Sequence, residues 1–346
     1  GSEMCIRDRA LILPTAASAA CTGFDDVPES ADCYESVIYL AECGIAAGTG
    51  NDCFSPEQLI TVEQWAVMLC RAYGAETIGD SWQDVGRSSV VEAYRQGWLN
   101  ETALSAPRSP MCRSVLVESA FAAADVPVYD STLYEGGASL STADNILRVG
   151  RELGLCSDDA DTNALVTRGD AAIILHVVLT QSFRIEEPPV PVTLVNAAGV
   201  NVNDFLLELR KVPEQILDAF NAAGWTYCID FDYMGGLSKK LNMSCIGATN
   251  YSRKTIYISE ASATLHEFGH FLDWMLGFPA EHEQLFRAEA AVAPLRNYAK
   301  TNAREYFADC FAYWVKYAGN TNAISLLQEC APMTYRYMED LMRIAN

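Results

Sequence analysis

The sequence predicts two domains, an all-α N-terminal domain and an α+β C-terminal domain. A helical pattern recurs with a period of about 50–55 residues through the first half. The second half instead has short β-rich segments followed by a nearly continuous helical block. Between them, residues 186–191 (EEPPVP) cannot continue a helix and favour an extended linker. We therefore expect a linker at 185–194, with a domain on each side long enough to bury its own core.

The first twenty residues are expected to lie outside the folded protein. Gly1-Ser2 is typical of a cloning scar, and residues 3–9 resemble translated sequencing-adapter sequence. Residues 10–20 combine a short apolar run with small residues in an Ala-x-Ala pattern, which predicts the end of a signal peptide cleaved near Ala19 or Ala20. We expect a bacterial protein that is secreted, extracellular or associated with the cell wall.

The N-terminal domain is predicted at 21–184, with three repeats at about 24–75, 82–126 and 128–182. Each repeat should contain two helices, and Thr61 is a good N-cap for the second helix of the first repeat. The predicted helices are 34–43, 61–73, 90–97, 112–124, 143–154 and 171–180.

This repeat pattern resembles the S-layer homology module, which usually occurs in threes, over about residues 24–182. The resemblance implies a compact helical prism that binds secondary cell-wall polymer. In that family the second helix of each module opens with a Thr-Arg-Ala-Glu-like motif whose arginine meets the anionic polymer. The third repeat keeps it as TRGD at 167–170, which assigns Arg168 to polymer binding. The first repeat has TVEQ at 61–64, without arginine, and the second has Arg113 in a poor context. The alternative is that the triplet serves only as a spacer.

The charge balance restricts the partners. The net charge is −21, and residues 1–185 hold 26 acidic against 11 basic side chains. Such a surface repels nucleic acid and anionic membranes, so neither is an expected partner. Outside the N-terminal region, no apolar run is long enough to span a membrane.

The chain has twelve cysteines and no CxxC pair, which argues against a structural zinc ribbon. In an oxidising compartment some of them should form disulfides. The alternative is a set of buried free thiols, and the connectivity is open. Candidate bridges lie within Cys33, Cys43, Cys53 and Cys70, between Cys228 and Cys245, and between Cys310 and Cys330.

The C-terminal domain is predicted at 195–346. Its early part favours helices at 204–212 and 213–223 and a strand at 226–231. A loop or irregular hairpin is expected at 235–252, followed by a short strand at 255–258. Helix-forming sequence dominates from residue 263 to the end.

The motif HEFGH at residues 266–270 carries the sharpest chemical signal. His266 and His270 lie one turn apart on the same helix face, so both imidazoles can bind one zinc ion. Glu267 projects beside the metal, where it can take a proton from water. Of the two other histidines, His176 is predicted to be a core residue and His282 a surface residue, a weak rival for third ligand.

A catalytic zinc ion needs a third protein ligand, and a second acidic segment supplies a candidate. Glu305 and Asp309 are four residues apart on a predicted helix from about residue 303. Glu305 could complete a His₂Glu set, and Asp309 could accept the free imidazole N–H of a ligand histidine. The alternative is a solvated pair of carboxylates.

Residues 266–273 and 298–311 together resemble the catalytic domain of anthrax lethal factor-type metallopeptidases, a family that includes secreted bacterial Pro-Pro endopeptidases. The resemblance covers roughly residues 195–346 and implies a thermolysin-like gluzincin fold with one catalytic zinc ion. It implies that His266, His270 and Glu305 bind the metal and that Asp309 supports a ligand. It also makes Glu267 the general base and Tyr298 the hydrogen-bond donor to the oxyanion.

In such a fold an extended peptide usually adds to an edge strand beside the active helix, here somewhere within 245–258. Trp225, Tyr251 and Trp274 could stack on proline rings. We therefore predict a secreted zinc endopeptidase acting on extracellular or cell-surface proteins, with Pro-Pro specificity as a hypothesis from the resemblance alone. Two alternatives remain: a non-catalytic wall-binding or adhesion protein with a vestigial metal domain, and a zinc amidase acting on peptidoglycan.

Overall fold

A computed structural model of the chain describes residues 3–5 and 23–344. The predicted signal-peptide remnant at 10–20 lies outside the described residues, as does most of the tag-like sequence before it. The chain divides into two compact units, Gly1–Pro188 and Pro189–Asn346. Within the described ranges, no helix has both the length and the apolar character needed to cross a membrane.

The regular secondary structure in the described part of the first unit is helical, apart from one two-stranded antiparallel sheet. A short 3₁₀ turn at Ser131–Leu133 precedes its sixth helix. The strands are β1 (Glu3–Cys5) and β2 (Arg184–Glu186), and the helices are α1 (Tyr34–Glu42), α2 (Val62–Ala72), α3 (Trp82–Arg95), α4 (Glu101–Ser105), α5 (Arg113–Ala123), α6 (Thr142–Glu152) and α7 (Arg168–Thr180).

A closed ring of three backbone hydrogen bonds lies at the centre of this unit. Ile60 donates to the carbonyl of Val166 at 3.0 Å, Val166 to Met111 at 3.0 Å, and Met111 to Ile60 at 2.9 Å. Ile60 lies just before α2, Met111 just before α5 and Val166 just before α7. All three side chains are fully or nearly fully buried. The three helix-opening segments therefore hold one another in a quasi-threefold arrangement, and Trp65 on α2 adds a buried hydrogen bond to Ser119 on α5 at 2.7 Å.

Capping side chains explain where α2 and α3 begin. Thr61 and Gln64 form a complete capping box at the start of α2. The prediction for α3 was too short, because the helix was expected at 90–97 and begins at Trp82. The hydroxyl of Ser81 accepts the Asp84 backbone N–H and so starts the helix earlier.

Arg168 lies in the core of the first unit rather than on a polymer-binding surface. Its side chain is buried, with a relative exposure of 6%, and the guanidinium donates to the carbonyls of Phe54 and Ala47 at 3.0 Å each. The guanidinium carbon also lies 4.6 Å from the centre of the Phe54 ring. Burial lowers the pKa of Arg168, against the opposing charge of Asp26. The expected role in polymer binding is therefore corrected: Arg168 anchors the loop that follows α1.

The ten cysteines that the structure describes are all free thiols, so the expected disulfides are not formed. Two of the cysteines that were candidates for disulfides, Cys70 and Cys310, are buried inside the protein. Cys70 directs its thiol at the carbonyl of Ser89 on α3, at 3.6 Å. Cys310 is packed inside the protein, and burial raises its pKa. The alternative of buried free cysteines describes these positions better.

The second unit combines a small mixed sheet with a larger set of helices. Its 3₁₀ turns are Ala261–Ala263 and Asn297–Lys300. The strands are β3 (Leu194–Asn196), β4 (Thr226–Ile229), β5 (Gly247–Asn250) and β6 (Thr255–Ile258), and the helices are α8 (Asn203–Leu209), α9 (Glu214–Ala222), α10 (Phe231–Leu241), α11 (Thr264–Met275), α12 (Ala280–Glu289), α13 (Ala303–Tyr317), α14 (Thr321–Cys330) and α15 (Pro332–Ile344).

The strand order is β3-β4-β6-β5. β3, β4 and β6 are parallel, and β5 is antiparallel to β6 with Thr249 opposite Ile256. β4 and β6 are largely buried, since Tyr227, Ile256 and Ile258 have no exposed surface. The sheet therefore ends in one antiparallel edge strand, β5.

One predicted loop is instead a helix. Residues 235–252 were expected to be irregular because of their glycines, yet α10 continues to Leu241. Asp230 caps it by accepting the Tyr233 backbone N–H at 2.8 Å, and Asn242 ends it in a left-handed conformation. These two end signals outweigh the cost of Gly235 and Gly236, about 1 kcal/mol each in a helix interior.

An aromatic core supports α11 from the sheet side. Phe268 and Phe271 on α11 contact Phe220 with ring centres 5.0 and 5.1 Å apart. Trp225 packs against Phe271 at 5.2 Å and has a relative exposure of 1%. The hypothesis that Trp225 stacks on substrate proline rings is therefore wrong, because this ring is enclosed by the protein.

Close helix packing sets the distance between α11 and α13. A Cβ atom at Gly269 would lie 2.6 Å from the Cα of Ala308 and 2.7 Å from its carbonyl oxygen. Only glycine fits there without a shift of the backbone. Gly269 directly precedes His270, and Ala308 directly precedes Asp309, so this contact helps to set the spacing of the site described next.

Candidate metal centre

The two helices present their polar residues to each other inside the protein. α11 contributes His266, Glu267 and His270, all buried, and α13 contributes the partly buried Glu305. Asn302 caps α13 by accepting the backbone N–H groups of Arg304 and Glu305. The carboxylate of Glu305 is thereby fixed in the first turn of its helix.

Three ligand atoms converge on one point. Nε2 of His266 lies 3.1 Å from Nε2 of His270 and 3.1 Å from Oε2 of Glu305, and the third distance, His270 Nε2 to Glu305 Oε2, is 3.3 Å. Ligands about 2.0–2.1 Å from a tetrahedral ion are separated by about 3.3 Å, so the spacing fits a metal ion. Oε2 of Glu305 is also buried without a hydrogen-bond partner among the described residues. This donor set of two imidazoles and one carboxylate could hold a divalent transition metal.

Asp309 fixes the orientation of His266. Its Oδ1 lies 2.6 Å from Nδ1 of His266, so a proton on Nδ1 leaves Nε2 free to bind a metal. Arg296 in turn donates Nε and Nη2 to the two carboxylate oxygens of Asp309, at 2.6 and 2.7 Å. This bidentate pair keeps the carboxylate in place, and its partners outweigh burial and lower the pKa of Asp309.

In the absence of a metal ion, the pKa values of His266 and Glu305 shift in opposite directions. Burial would lower the pKa of His266, but the neighbouring carboxylates of Asp309 and Glu305 outweigh it and raise the pKa to about 9. Burial would likewise raise the pKa of Glu305, but His266 and His270 outweigh it and lower this pKa. These opposite shifts favour a proton on His266, and a metal ion bound there would compete with that proton.

Glu267 is held beside the three ligand atoms by the edge strand. Thr249 on β5 donates its hydroxyl to Oε2 of Glu267 at 2.7 Å. Gly247, two residues earlier on β5, leaves room for the carboxylate, since a Cβ atom there would lie 2.6 Å from Oε1. The carboxylate is therefore fixed at the floor of the site by a side chain that lies outside the helix motif.

Tyr298 lies in the 3₁₀ turn Asn297–Lys300, with its ring centre 6.2 Å from that of His266. The residue is 42% exposed and forms part of the lining of the cleft that contains His266. Burial and the nearby carboxylates of Glu305 and Glu267 raise the pKa of Tyr298, so its phenol stays protonated at neutral pH. A neutral hydroxyl at this position can donate a hydrogen bond to a developing oxyanion.

These residues lie in one open cleft of about 1280 Å³. A cleft of this size exceeds the volume of about 300–1,000 Å³ that is typical of small-molecule pockets. Gly247, Ala248 and Thr249 of the edge strand form part of its lining, opposite the 3₁₀ turn that carries Tyr298. Tyr251 also lines the cleft, whereas Trp225 and Trp274 do not. An extended peptide could therefore lie along β5 with its backbone close to the three ligand atoms.

His282 is buried rather than exposed, which corrects the prediction from sequence. Its relative exposure is 3%, and its Nδ1 lies 2.7 Å from Oδ1 of Asp273 on α11. Its Nε2 contacts the hydroxyl of Tyr337 at 2.8 Å, and its ring stacks on Phe307 at 3.8 Å. It therefore links α11, α12, α13 and α15. His176 in the first unit hydrogen-bonds Ser36 at 3.0 Å and stacks on Tyr39.

Two residues around the site were not found from sequence, namely Thr249 and Arg296. Thr249 lies 18 residues before its partner Glu267, and Arg296 lies 13 residues before Asp309. The two members of each pair do not lie on the same helix or strand, so no periodic pattern within one helix or strand could have linked them. The proximity of Arg296 to Tyr298 in the chain was the available signal for the arginine.

Comparisons with known proteins agree with the two resemblances stated from the sequence. Residues 230–341 match the family model described as anthrax toxin lethal factor, N- and C-terminal domain. Residues 23–64 match the model of the S-layer homology domain. These matches confirm both family resemblances. Among curated proteins, none matches the chain.

A similar solved structure is the Pro-Pro endopeptidase PPEP-2 from Paenibacillus alvei. It is 21% identical to this chain, and the similarity covers 43% of this chain and 96% of that chain, with a TM-score of 0.36.

Proposed function

We propose that the chain is a secreted, zinc-dependent endopeptidase with an S-layer homology domain for association with the bacterial cell wall. The observation that carries this proposal is the convergence of His266, His270 and Glu305 within 3.3 Å, with Glu267 beside them. The match of residues 230–341 to the lethal factor family supports a metallopeptidase-like protein. Two imidazoles and one carboxylate are typical of catalytic zinc sites that keep one position open for water.

In this proposal residues 195–346 form a metallopeptidase domain of the thermolysin-like gluzincin type, and residues 21–184 form a prism of three S-layer homology modules. The closed ring of hydrogen bonds through Ile60, Met111 and Val166 supports the threefold prism. Each of these residues donates one bond and accepts another, so the three repeats are joined in the same way. The buried position of Arg168 means that a wall polymer would have to bind through other residues.

In this proposal each residue of the site has a separate role in amide hydrolysis. When bound, a zinc ion would polarise the scissile carbonyl and make a water molecule more acidic. Glu267 takes the proton from the attacking water and delivers it to the leaving amine. Tyr298 donates its hydroxyl to the oxyanion of the tetrahedral intermediate. Asp309, held by Arg296, keeps His266 in the tautomer that leaves Nε2 available.

The substrate in this proposal is an extended segment of an extracellular or cell-surface protein that adds to β5. Pro-Pro specificity is a narrower hypothesis within it. Of the three aromatic residues that the sequence suggested for contact with a proline ring, Tyr251 is the one that lines the cleft.

The test combines metal analysis with peptide cleavage. We expect the purified protein to contain one zinc ion per chain and to cleave members of a peptide library that includes proline-rich sequences. Glu267→Gln should lower kcat by about 10²–10⁴-fold while zinc content is retained, because general-base catalysis contributes about that factor. Glu329→Gln is the matched control, because this substitution removes the same charge at an exposed position of α14.

The alternatives give different results in the same experiment. Stable zinc binding without cleavage of any peptide would exclude the endopeptidase and favour a vestigial metal domain. Release of peptidoglycan stem peptides without cleavage of linear peptides would favour an amidase. Undiminished cleavage by Glu267→Gln would show that the assigned general base is wrong.

A further inference from the structure

Arg304 occupies an unusual position in the cleft. It directly precedes Glu305 in the first turn of α13, and its exposed side chain lines the same cleft as His266 and His270. Its guanidinium carbon lies 4.3 Å from the centre of the Phe278 ring and 5.8 Å from the centre of the Tyr251 ring. The cation is therefore positioned by two aromatic faces.

Helix stability does not account for an arginine here. A cation in the first turn of a helix faces the positive end of the helix dipole, which is unfavourable. The ion pairs of the cleft do not account for it either, because within the described residues its guanidinium forms no ion pair or hydrogen bond. The carboxylates that line this cleft already have other partners: Asp309 binds Arg296, Glu208 binds Lys211, Glu283 binds Arg287, Glu267 binds Thr249, and Glu305 contacts His266 and His270.

The aromatic platform below Arg304 is held in a costly conformation. Phe278 has a φ of 53°, in the left-handed region that a bulky residue rarely adopts, and it follows Gly277 with a φ of 78°. Such strain persists where the surrounding structure requires a particular placement, and it is frequent at binding sites. Tyr251 packs edge-on against Phe278 with ring centres 5.4 Å apart, which fixes the platform.

We propose that Arg304, with Phe278 and Tyr251, forms a carboxylate-binding subsite, so that preferred substrates carry a carboxylate close to the scissile bond. The guanidinium lies over both rings, and its N–H groups form no hydrogen bond within the described residues. These paired donors match both oxygens of a carboxylate. The net charge of −21 provides no general attraction for acidic peptides, so selection for them would have to come from a local contact of this kind.

This inference rests on the proposed peptidase function for its catalytic readout. The carboxylate could belong to an Asp or Glu side chain within the peptide or to its free C-terminus, and matched peptides distinguish these sources. One set replaces Gln by Glu at each position within four residues of the scissile bond, with an amidated C-terminus. The other keeps Gln and ends in a free carboxylate at those same positions.

We expect one set to contain a peptide that wild type prefers over its uncharged partner by about tenfold or more in kcat/KM, a ratio typical of a hydrogen-bonded charge pair. Arg304→Gln should abolish that preference, and Arg304→Glu should transfer it to the peptide with Lys at the same position. Lys316→Gln is the matched control, since Lys316 is a second cation of the cleft lining and contacts Tyr317. A preference that survives in Arg304→Gln, that disappears in Lys316→Gln, or that is absent from wild type would overturn the subsite.

Binding to Glu267→Gln separates this inference from the proposed function. Fluorescence anisotropy with the same peptides reports the subsite without hydrolysis. An Arg304-dependent preference in binding, without cleavage by zinc-loaded wild type, would retain the carboxylate site and reject the peptidase. Cleavage without any Arg304-dependent preference would retain the peptidase and reject the site. Absence of both cleavage and binding would reject both.

Discussion

The hydrogen bond from Thr249 to Glu267 connects the edge strand with the residue assigned as general base. It joins a side chain on β5 to a carboxylate on α11 and fixes one oxygen of that carboxylate at 2.7 Å. The other oxygen lies against Gly247, where any larger residue would displace it. The position of the carboxylate is therefore determined by both elements and not by its helix alone.

Removing this hydrogen bond should affect turnover more than binding. We expect Thr249→Val to lower kcat by about tenfold or more with little change in KM, because a hydrogen bond to a charged group contributes about 1.5–3 kcal/mol. Thr249→Ser keeps the hydroxyl and should restore most of the activity. Steady-state kinetics of the two variants measure the difference. Equal losses in both variants would indicate a packing role for Thr249 instead.

The pKa shifts at the ligand residues predict how the metal-free protein responds to pH. The pKa of His266 is raised from 6.5 to about 9 in the folded state, so its stabilising contribution is complete below pH 6.5 and is lost as pH rises through about 9. The pKa values of Glu305 and Asp309 are lowered, so their contributions are present above their ordinary values and are lost in acid.

We therefore expect the Tm of the chelator-treated protein to fall between pH 6.5 and pH 9. Zinc should oppose this fall, because it binds neutral His266 and gains affinity as the proton leaves. Thermal unfolding with and without zinc across this range measures the effect, and His266→Gln should remove its own part of the pH dependence. A metal-free Tm that rises towards pH 9 would contradict the assignment.

At the scale of elements, the packing of α11 on α13 determines whether the ligands meet. Gly269 is the contact point, because a Cβ atom there would overlap the backbone of Ala308. We expect Gly269→Ala to lower the free energy of unfolding by about 1–3 kcal/mol and to weaken metal binding, since one helix must move away from the other. Gly319→Ala is the control, because a Cβ atom there meets no neighbour within 4 Å. Chemical denaturation of both variants measures the free energy of unfolding. If Gly269→Ala is as stable as the wild type, the expected effect of this contact is wrong.

Elements with strong local signals were predictable from the sequence. The 3.6-residue period and the cap at Thr61 gave α2 to within one residue at each end, and the strand at 255–258 coincides with β6. α10 was missed because its end signals at Asp230 and Asn242 act against two internal glycines. The pairing of Asp273 with His282 was missed because the two residues lie on successive helices, α11 and α12, and the turn between the helices brings them together.

At the scale of the whole molecule, the coarse class followed from composition and repeat spacing. Both the helical first half and the small mixed sheet of the second half are present in the structure. The site was predictable where one helix supplies several residues, as with His266 and His270. Glu305 and Asp309 were found because residues 298–311 resemble a segment of a known family, whereas the contacts of Thr249 and Arg296 depend on packing that no local pattern specifies.

The charge of the whole chain should affect the encounter with substrate. With a net charge of −21, the protein attracts cationic peptides over distances up to the Debye length, which is about 30 Å at 0.01 M salt and 3 Å at 1 M. We expect a peptide extended by a distal Lys tail to have a higher kcat/KM than its neutral-tailed counterpart at low salt, with the difference lost at high salt. Kinetics across a salt series measure this, and an advantage independent of salt would contradict it.

The edge strand β5 also bears on the solution behaviour of the protein. A strand edge that can receive one extended peptide can receive another, including the edge of a second copy, and such pairing is a route to aggregation. β5 limits this risk because it has only four residues and is followed closely by the cations Arg253 and Lys254. A longer edge strand would bind peptides more tightly through its backbone, and it would also make concentrated protein more prone to precipitate.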